Sequence, residues 1–278
     1  MNLWRRLEAI DRRVIFLILA VGIVLPMIFP MHLPIAVTPE VQSVYDRIES
    51  LQPGDAILIS AEYDPSTLAE IQPMMRTMLH HAFRRGAKVV VVCLLSTGVS
   101  LVDETVQQVA REMGKTNGED WVFLGYKPYT AIVIQAMGQN FRDPFPRDYY
   151  GRQTDTLPMM KGLRNYSSLK FVLNISATSS VDYWIQYGST RYGFPIALAV
   201  TAVMATDYYT FLQSKQIFGL IGGMKGAAEY ERLMNMKGYA TRVMNIQSVV
   251  HVLIVGFILI GNVAYLATGG RMRRGGRA

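Results

Sequence analysis

Two apolar runs, one near each end of the chain, constrain the fold more than any other feature of the sequence. They occupy residues 14–29 and 246–267, and a helix of about 20 apolar residues crosses a hydrocarbon core of ~30 Å. We therefore predict transmembrane helices at residues 14–30 and 246–267, with one folded domain between them. A basic stretch before an apolar run also suits a secretory signal peptide, but the length of the first run favours an uncleaved anchor.

Positive charge is concentrated at the two ends of the chain. The net charge is +7, of which the first 13 residues contribute +2 and the last eight contribute +4. The remaining +1 is too little for a nucleic-acid-binding surface, so nucleic acid is not an expected partner. Arginine clusters that flank a span stay in the cytoplasm, where they meet anionic lipid. We predict basic cytoplasmic tails at residues 1–13 and 268–278, with membrane lipid as a partner.

These features also predict a location. The protein is expected in the inner membrane of a prokaryote, with two spans, both termini in the cytoplasm and the central domain on the extracytoplasmic side. Few basic residues lie at the inner ends of the two spans, which agrees with this orientation. The inverted topology, with a cytoplasmic domain, stays open.

A repeated strand-turn-helix pattern fills the region between the two runs. After a connector at residues 31–52, strands are predicted at residues 56–63, 88–95, 121–126, 169–176 and 196–204. Strands that alternate with helices are typical of a parallel sheet covered on both faces. We therefore predict an α/β, three-layer Rossmann-like domain at residues 53–216, with a mostly parallel sheet of about five strands.

A long loop at residues 139–166 interrupts this pattern. A loop of this length inside a compact domain is uncommon and is usually a functional or interaction element. Two interpretations stay open. The loop is either a surface lid with local packing only, or a contact surface centred on residues 142–151.

The most unusual segment of the chain is the glycine-rich run at residues 219–228. Gly219, Gly222, Gly223, Gly226 and Ala227 include pairs four residues apart, which on a helix make a flat face for close packing. We predict a glycine-rich helix and stalk at residues 217–245, with these residues as a seam for helix packing or an oligomer contact. A phosphate-binding loop fits less well, because neither nucleotide-binding pattern is present. A flexible turn is the third interpretation.

Polar residues follow the predicted strands, and ligands of parallel α/β sheets bind beyond the carboxyl ends of strands. These residues carry both charge signs and form a candidate rim for a small polar ligand. The candidate ligand-binding residues are Glu62, Asp64, Ser96, Thr97, Lys127, Ser176, Thr178 and Asp207. The alternative interpretation is that they are the ordinary capping and loop residues found at strand ends.

The sequence contains no recognisable catalytic constellation. It lacks the G-x-S-x-G elbow of α/β-hydrolases. The four histidines, His32, His80, His81 and His251, are not spaced as metal ligands, and the single cysteine, Cys93, lies in an apolar run as a buried thiol would. We therefore predict no catalytic residue, no metal site and no cofactor.

Three stretches of the sequence resemble a known family. They are Leu-Pro-Met-Met at residues 157–160, Leu-Arg-Asn-Tyr at 163–166, and a run from Gln216 that ends in Gly-Ala-Ala-Glu-Tyr-Glu at 226–231. Over residues 50–235 the chain resembles a family of membrane-anchored prokaryotic proteins. The resemblance implies an α/β domain between two transmembrane helices, and it implies no activity and no catalytic residues.

Together these features predict a membrane-anchored structural or accessory subunit of a membrane assembly, self-associating as a homo-oligomer or part of a larger complex, and not an enzyme. The alternative is an extracytoplasmic small-ligand binding or sensory module that uses the strand-end rim. A hydrolase that works at the same rim is a third interpretation. The fold alone does not choose among them, because α/β folds host many functions.

Overall fold

The computed structural model describes residues 10–29 and 33–267. Most of the predicted N-terminal tail, the whole predicted C-terminal tail and the junction at residues 30–32 lie outside these ranges. The described residues form two units. One is an α/β body at Ile35–Thr241, and the other is built from the two ends of the chain.

Six parallel strands form one sheet in the α/β body. They are β1 (Ala56–Glu62), β2 (Lys88–Val92), β3 (Trp121–Gly125), β4 (Val172–Ser176), β5 (Ile196–Val200) and β6 (Gly219–Gly222). Their order across the sheet is β3-β2-β1-β4-β5-β6, and every neighbouring pair is parallel. The predicted α/β fold is confirmed, with six strands rather than about five, and the strand order is compatible with a Rossmann-like fold.

Helices connect the strands and cover both sides of the sheet. The helices are α1 (Arg12–Ile28), α2 (Pro39–Glu49), α3 (Leu68–Arg84), α4 (Val99–Glu112), α5 (Thr130–Gln139), α6 (Ser180–Tyr183), α7 (Thr190–Tyr192), α8 (Ala202–Gln213), α9 (Gly223–Leu233) and α10 (Tyr239–Ala267). A π-helical stretch, Trp184–Ser189, joins α6 to α7. Helix α2 lies within the predicted connector, and it packs on β6 and α9 as part of the α/β body.

The centre of the sheet is buried because its strands are apolar. All of β1 is buried, and β2 contributes four consecutive buried valines at residues 89–92. Strands covered on both faces read as continuous apolar runs rather than alternating ones. Ser60, Glu62 and Asn174 are the fully buried polar exceptions within β1 and β4, together with Ser176 at the end of β4.

The glycine-rich run is not one helix, which corrects the prediction for residues 217–245. Gly219 and Gly222 lie in β6, and the chain turns at Gly223, whose φ is +61°. Gly226 and Ala227 lie in α9, and a break separates α9 from α10. The strand forms because β5 offers an edge whose backbone groups need partners, and residue spacing alone does not reveal that edge.

The glycines of this run make room for neighbours within the chain. A Cβ atom on Gly219 would collide with the Val44 side chain of α2 and would lie 2.9 Å from the Glu40 carbonyl oxygen. A Cβ atom on Gly222 would lie 2.8 Å from Ala205 of α8. These contacts account for the glycines without a second subunit, so the oligomer role of the seam stays a prediction.

We expect Gly219→Ala to lower the free energy of unfolding by about 1–3 kcal/mol, because the added methyl group overpacks the contact between β6 and α2. Chemical denaturation of the variant and the wild type measures the difference. Ser100→Ala in α4 is the control, since it also introduces alanine but at an exposed position. A Gly219→Ala protein as stable as this control would contradict the close approach of α2 to β6.

The long loop after α5 covers the free edge of β3. The backbone N–H of Tyr149 donates to the Phe123 carbonyl oxygen at 2.9 Å, and Phe141 and Phe145 are fully buried. Covering an edge strand in this way prevents its pairing with another chain. Residues 139–166 therefore pack against the core of their own domain. That residues 142–151 form a contact surface for a partner stays a prediction.

The second unit contains α1 and most of α10. Within the part of the chain that the structure describes, α10 is the one helix long and apolar enough to cross a membrane. It begins at Tyr239, earlier than the predicted start at residue 246. Helix α1 has 17 residues, or about 26 Å at ~1.5 Å per residue, which is shorter than a hydrocarbon core of ~30 Å. The structure thus supports one of the two predicted spans.

Candidate functional site

The centre of the sheet holds its topological switch point, between β1 and β4. From β1 the chain moves outward through β2 and β3, whereas from β4 it moves the other way through β5 and β6. Open α/β sheets bind ligands beyond the carboxyl ends of the strands at such a point. Here those ends are Glu62 and Ser176, which are direct partners in the register of the two strands.

The Glu62 carboxyl group is fully buried and is surrounded by donors of its own chain. One oxygen accepts a short hydrogen bond from the Ser60 hydroxyl and a 3.4 Å bond from the Leu94 backbone N–H. The other oxygen accepts from Asn174 Nδ2 at 2.7 Å and from Ser180 Oγ at 3.1 Å. These bonds connect β1 with β4, with the chain after β2 and with the start of α6.

A further set of contacts orients these donors. Trp184 Nε1–H donates to Ser60 Oγ at 2.9 Å, which leaves the Ser60 proton for Glu62. Ser180 Oγ also lies 2.9 Å from Ser176 Oγ. The switch point is thus filled by a connected network of side chains, and networks of this kind strengthen their own bonds at low dielectric.

Burial shifts the pKa values of titratable groups near the switch point, among them Glu62 and Cys93. It raises the pKa of Glu62 to about 7, against the lowering effect of hydrogen bonds from Ser60, Asn174 and Ser180. A carboxyl group that titrates near neutral pH is common at acid–base sites, and structural networks produce the same shift. Burial also raises the pKa of Cys93 to about 12. The predicted buried thiol is confirmed, and such a thiol is inert at neutral pH.

Three of the predicted rim residues, Glu62, Ser176 and Thr178, come together at the switch point. Ser176 Oγ lies 3.1 Å from Thr178 Oγ1 and accepts from the Thr178 backbone N–H at 3.0 Å. Ser180 connects this pair to the Glu62 carboxyl group. The strand-end rule therefore pointed to the polar centre of the sheet. The polar side chains there form hydrogen bonds with one another.

The other rim residues lie apart from this network. Three are exposed or partly exposed in the loops after β2 and β3: Ser96, Thr97 and Lys127. Asp64 serves as a turn cap, because its Oδ1 accepts from the Ser66 hydroxyl at 2.6 Å and from the Ser66 backbone N–H at 2.9 Å. The hydroxyl bond is the main reason that the pKa of Asp64 is lowered. For Asp64 the capping interpretation describes what the structure shows.

The prediction for Asp207 needs a correction. Strand β5 ends at Val200 rather than at residue 204, and Asp207 lies exposed within α8. The reason is local: Thr201 accepts from the Met204 backbone N–H at 3.4 Å, and a side-chain cap of this kind starts a helix. Asp207 is therefore not a strand-end residue.

Sequence reasoning missed three residues of the network: Ser60, Asn174 and Trp184. Two of them carried a readable signal, since Ser60 and Asn174 are polar positions inside otherwise apolar strands. A buried polar side chain needs a hydrogen-bond partner, so such positions point to a network. Trp184 carried no signal, because it reaches Ser60 across 124 positions of sequence.

A second buried polar cluster lies on α9 and consists of Glu229, Tyr230 and Glu231, which we call the α9 clamp. Glu229 Oε2 accepts from the Thr38 backbone N–H and hydroxyl, at 2.8 and 2.7 Å, at the start of α2. Glu231 accepts from the Ala240 backbone N–H at 3.0 Å and from the Thr241 N–H and hydroxyl at 2.8 and 2.7 Å. Each glutamate thus accepts hydrogen bonds from backbone N–H groups at the start of a helix. The two helix starts lie where the chain enters the α/β body, near Thr38, and where it leaves the body, near Thr241. We call these two points the exits of the body.

Tyr230 extends the clamp to α3. Its hydroxyl lies 2.8 Å from His81 Nδ1, and His81 Nε2 lies 2.7 Å from the Glu49 carboxylate. A carboxylate only accepts, so Nε2 carries the proton and Nδ1 accepts from the tyrosine. Burial lowers the pKa of His81, and the hydrogen bond from His81 lowers the pKa of Glu49. The clamp therefore joins α9 to α2 and α3.

The histidines of the α/β body are engaged in contacts of this kind. His80 Nε2 lies 2.8 Å from Glu112 on α4, and His81 belongs to the contacts of the α9 clamp. Within residues 10–29 and 33–267, no group of three or more His, Cys, Asp or Glu side chains is arranged to hold a metal ion.

Comparison with known proteins does not assign a family. No protein-family model matches the chain, and no curated protein matches its sequence. Among solved structures, a trehalose-6-phosphate synthase, OtsA, matches with 11% sequence identity and a TM-score of 0.30. The match covers 86% of this chain and 47% of that chain, so this protein spans about half the length of that one. A likeness this distant carries no argument about activity.

Proposed function

We propose that this protein is a membrane-anchored structural or accessory subunit of a membrane assembly. The observation that carries the proposal is the α9 clamp, whose two glutamates fasten both exits of the α/β body. Glu229 and Glu231 are 1% and 2% exposed, so neither faces a substrate in solvent. Hydrogen bonds to a charged acceptor are among the stronger ones in proteins, which suits a permanent attachment.

The segments that the clamp holds lead to apolar helices. Thr38 lies in the connector after α1, just before α2, and Thr241 lies in the first turn of α10. Helix α10 is long and apolar enough to span a membrane, and most of its large apolar side chains are exposed. Exposed apolar surface on this scale needs lipid or another apolar surface to cover it. We infer that the clamp attaches the α/β body to the start of its anchor.

The proposal includes α1 as a second, shorter span, with both chain ends in the cytoplasm and the α/β body outside. The concentration of arginine at the two ends of the sequence supports this orientation. A short apolar helix is accommodated by local thinning of the bilayer at modest cost, which supports a membrane position for a helix of about 26 Å.

Self-association through α10 is the next part of the proposal. The glycines of β6 and α9 meet atoms of their own chain, whereas added Cβ atoms on Gly256 and Gly261 of α10 meet nothing within 4 Å. Small residues on a membrane helix allow the backbone of a second helix to approach closely. We therefore assign the subunit contact to α10 rather than to the glycine-rich seam.

The mass of the detergent-extracted particle tests this assignment. Size-exclusion chromatography with light scattering is expected to give a discrete multiple of 31.2 kDa. Gly256→Ile is expected to reduce the mass. Val255→Ile, at an exposed position about 100° from Gly256 and about 120° from Gly261 around the helix, is expected to leave it unchanged. A monomeric wild-type particle would contradict self-association. A second protein in stoichiometric amount would replace the homo-oligomer with a hetero-assembly.

Small-ligand binding at the strand ends is a second candidate function, and one observation favours it. Asn174 Oδ1 is buried and has no hydrogen-bond partner among the residues that the structure describes. A buried acceptor without a donor is uncommon, and a polar ligand at the switch point would supply one. Such a ligand would raise the free energy of unfolding by RT ln(1 + [L]/Kd), which a purely structural subunit would not show.

A further inference from the structure

A groove at the amino end of β3 contains polar donors that the rest of the fold does not use. It has a volume of about 290 Å³ and lies between the end of α4, the turn into β3 and the loop that covers the β3 edge. Its lining includes Gln107, Arg111, Lys115, Asn117, Trp121 and Tyr150. We call it the α4–β3 groove. It is separate from the switch point, because Trp121 is the first residue of β3.

The lining of the groove carries two cationic side chains, Arg111 and Lys115, and no acidic one. Arg111 is exposed, contacts Gln107 Oε1 at 3.5 Å and forms no ion pair with the described acids. Lys115 Nζ lies 3.5 Å from Asp120, whose other oxygen accepts from the Thr116 backbone N–H at 2.8 Å. The lysine charge is therefore partly compensated, and the Arg111 charge is available to a ligand.

The other charged groups beside the groove have partners of their own. Arg152 pairs with buried Asp148 at 2.6 Å, and its guanidinium lies 5.6 Å from the centre of the Tyr150 ring. Asp103 accepts a short hydrogen bond from the Tyr150 hydroxyl. These contacts hold the ring of Tyr150 in the wall of the groove. Among the cations of the lining, Arg111 is the one without an ion-pair partner among the described residues.

Trp121 adds a donor without an acceptor. The residue is 3% exposed, and its indole N–H has no hydrogen-bond partner within the described ranges. Buried donors of this kind are uncommon in folded proteins. The ring of Tyr150 meets the indole edge-on, with centroids 6.4 Å apart and an angle of 79°. The groove thus combines aromatic walls with a cationic rim.

We propose that the α4–β3 groove binds a small organic oxyanion, a carboxylate or a phosphate ester, with a short apolar or aromatic body. Its charged group pairs with Arg111 and Lys115, one oxygen accepts from the Trp121 indole N–H, and its body packs against the ring of Tyr150. A guanidinium matches the paired oxygens of both carboxylates and phosphates. The site does not depend on the structural role proposed above.

Isothermal titration calorimetry of the full chain in detergent tests this site, with phenyl phosphate and benzoate as probes. We expect saturable binding of at least one probe. Arg111→Gln is expected to weaken it at least tenfold, and Trp121→Phe, which keeps an aromatic ring but lacks the N–H, at least threefold. Arg191→Gln in α7 is the control, because it removes the same charge from another exposed position and should leave the affinity unchanged.

The two probes distinguish a phosphate ester from a carboxylate as the ligand. Binding of phenyl phosphate alone assigns a phosphate ester, and binding of benzoate alone assigns a carboxylate. The proposal is overturned if neither probe binds at millimolar concentration, or if Arg191→Gln weakens binding as much as Arg111→Gln does. If circular dichroism shows that Trp121→Phe does not fold, the comparison of the two arginine variants decides.

Discussion

Replacing Glu231 with alanine is expected to lower the free energy of unfolding by about 2–4 kcal/mol. The substitution removes the acceptor of three donors, the backbone N–H groups of Ala240 and Thr241 and the Thr241 hydroxyl. Bonds to a charged acceptor are stronger than neutral ones, and a buried donor left without a partner carries its full desolvation cost. The Glu231 carboxylate also fills the space beside Gly238, where a Cβ atom would collide with it.

Urea denaturation followed by tryptophan fluorescence measures this loss, because Trp184 is fully buried in the α/β body. Glu119→Ala is the matched control, since Glu119 is an exposed glutamate of the same body and should change the free energy by less than about 0.5 kcal/mol. Glu231→Gln keeps one acceptor oxygen and should fall between the two. A Glu231→Ala protein indistinguishable from the control would mean that the α9 clamp does not hold the start of α10.

The second large effect is a pH dependence of the free energy of unfolding that arises from Glu62. We expect Glu62→Gln to remove it. Burial raises the pKa of Glu62 from 4.5 to about 7 in the folded protein. Below pH 4.5 the carboxyl group is protonated in both the folded and the unfolded protein, so it does not make the free energy of unfolding depend on pH. Between the two values the unfolded chain loses its proton while the folded chain keeps it, so stability falls by ~1.4 kcal/mol per pH unit. Above the higher value the loss is complete, at about 3 kcal/mol.

The free energies of unfolding of the wild type and Glu62→Gln, measured from about pH 4.5 to pH 8, test this expectation. The wild type should lose about 3 kcal/mol relative to the variant across this window, because glutamine does not titrate. Other groups, including His81, titrate in both proteins and cancel in the comparison. Glu119→Gln should follow the wild type. Parallel profiles for the wild type and Glu62→Gln would show that the Glu62 pKa is ordinary.

The two experiments concern buried glutamates with different surroundings. Glu231 lies at the start of a helix, whose backbone N–H groups favour a negative charge. The donors around Glu62 come mainly from side chains, and its pKa is raised by burial. Glu231→Ala should therefore lower the free energy of unfolding. Glu62→Gln should raise it above neutral pH, because glutamine carries no charge that must be buried. Opposite effects of the two substitutions would distinguish a structural role of Glu231 in the α9 clamp from a titrating role of Glu62 at the switch point.

Much of the sheet was predictable from the order of apolar residues. The valine run of β2 and the strands around Phe123 and Leu173 are local patterns that fit a covered parallel sheet. The predicted end of β5 at residue 204 was wrong, because the cap at Thr201 competes with a continuing apolar run. Of the predicted rim residues, the buried strand ends Glu62 and Ser176 share one network with Thr178, and ligand binding at the rim stays a prediction.

The sequence by itself determined the α/β class, the long apolar helix at the C-terminal end and most strand positions, because these depend on hydrophobic periodicity within short windows. Only the tertiary structure decided that the glycine-rich run adds a sixth strand, that the Glu62 carboxyl group is enclosed, and that the α9 clamp holds both exits. Thr38 and Glu229, for example, are 191 positions apart. Contacts across such distances exist only after the chain has folded, since they depend on which surfaces the sheet brings together.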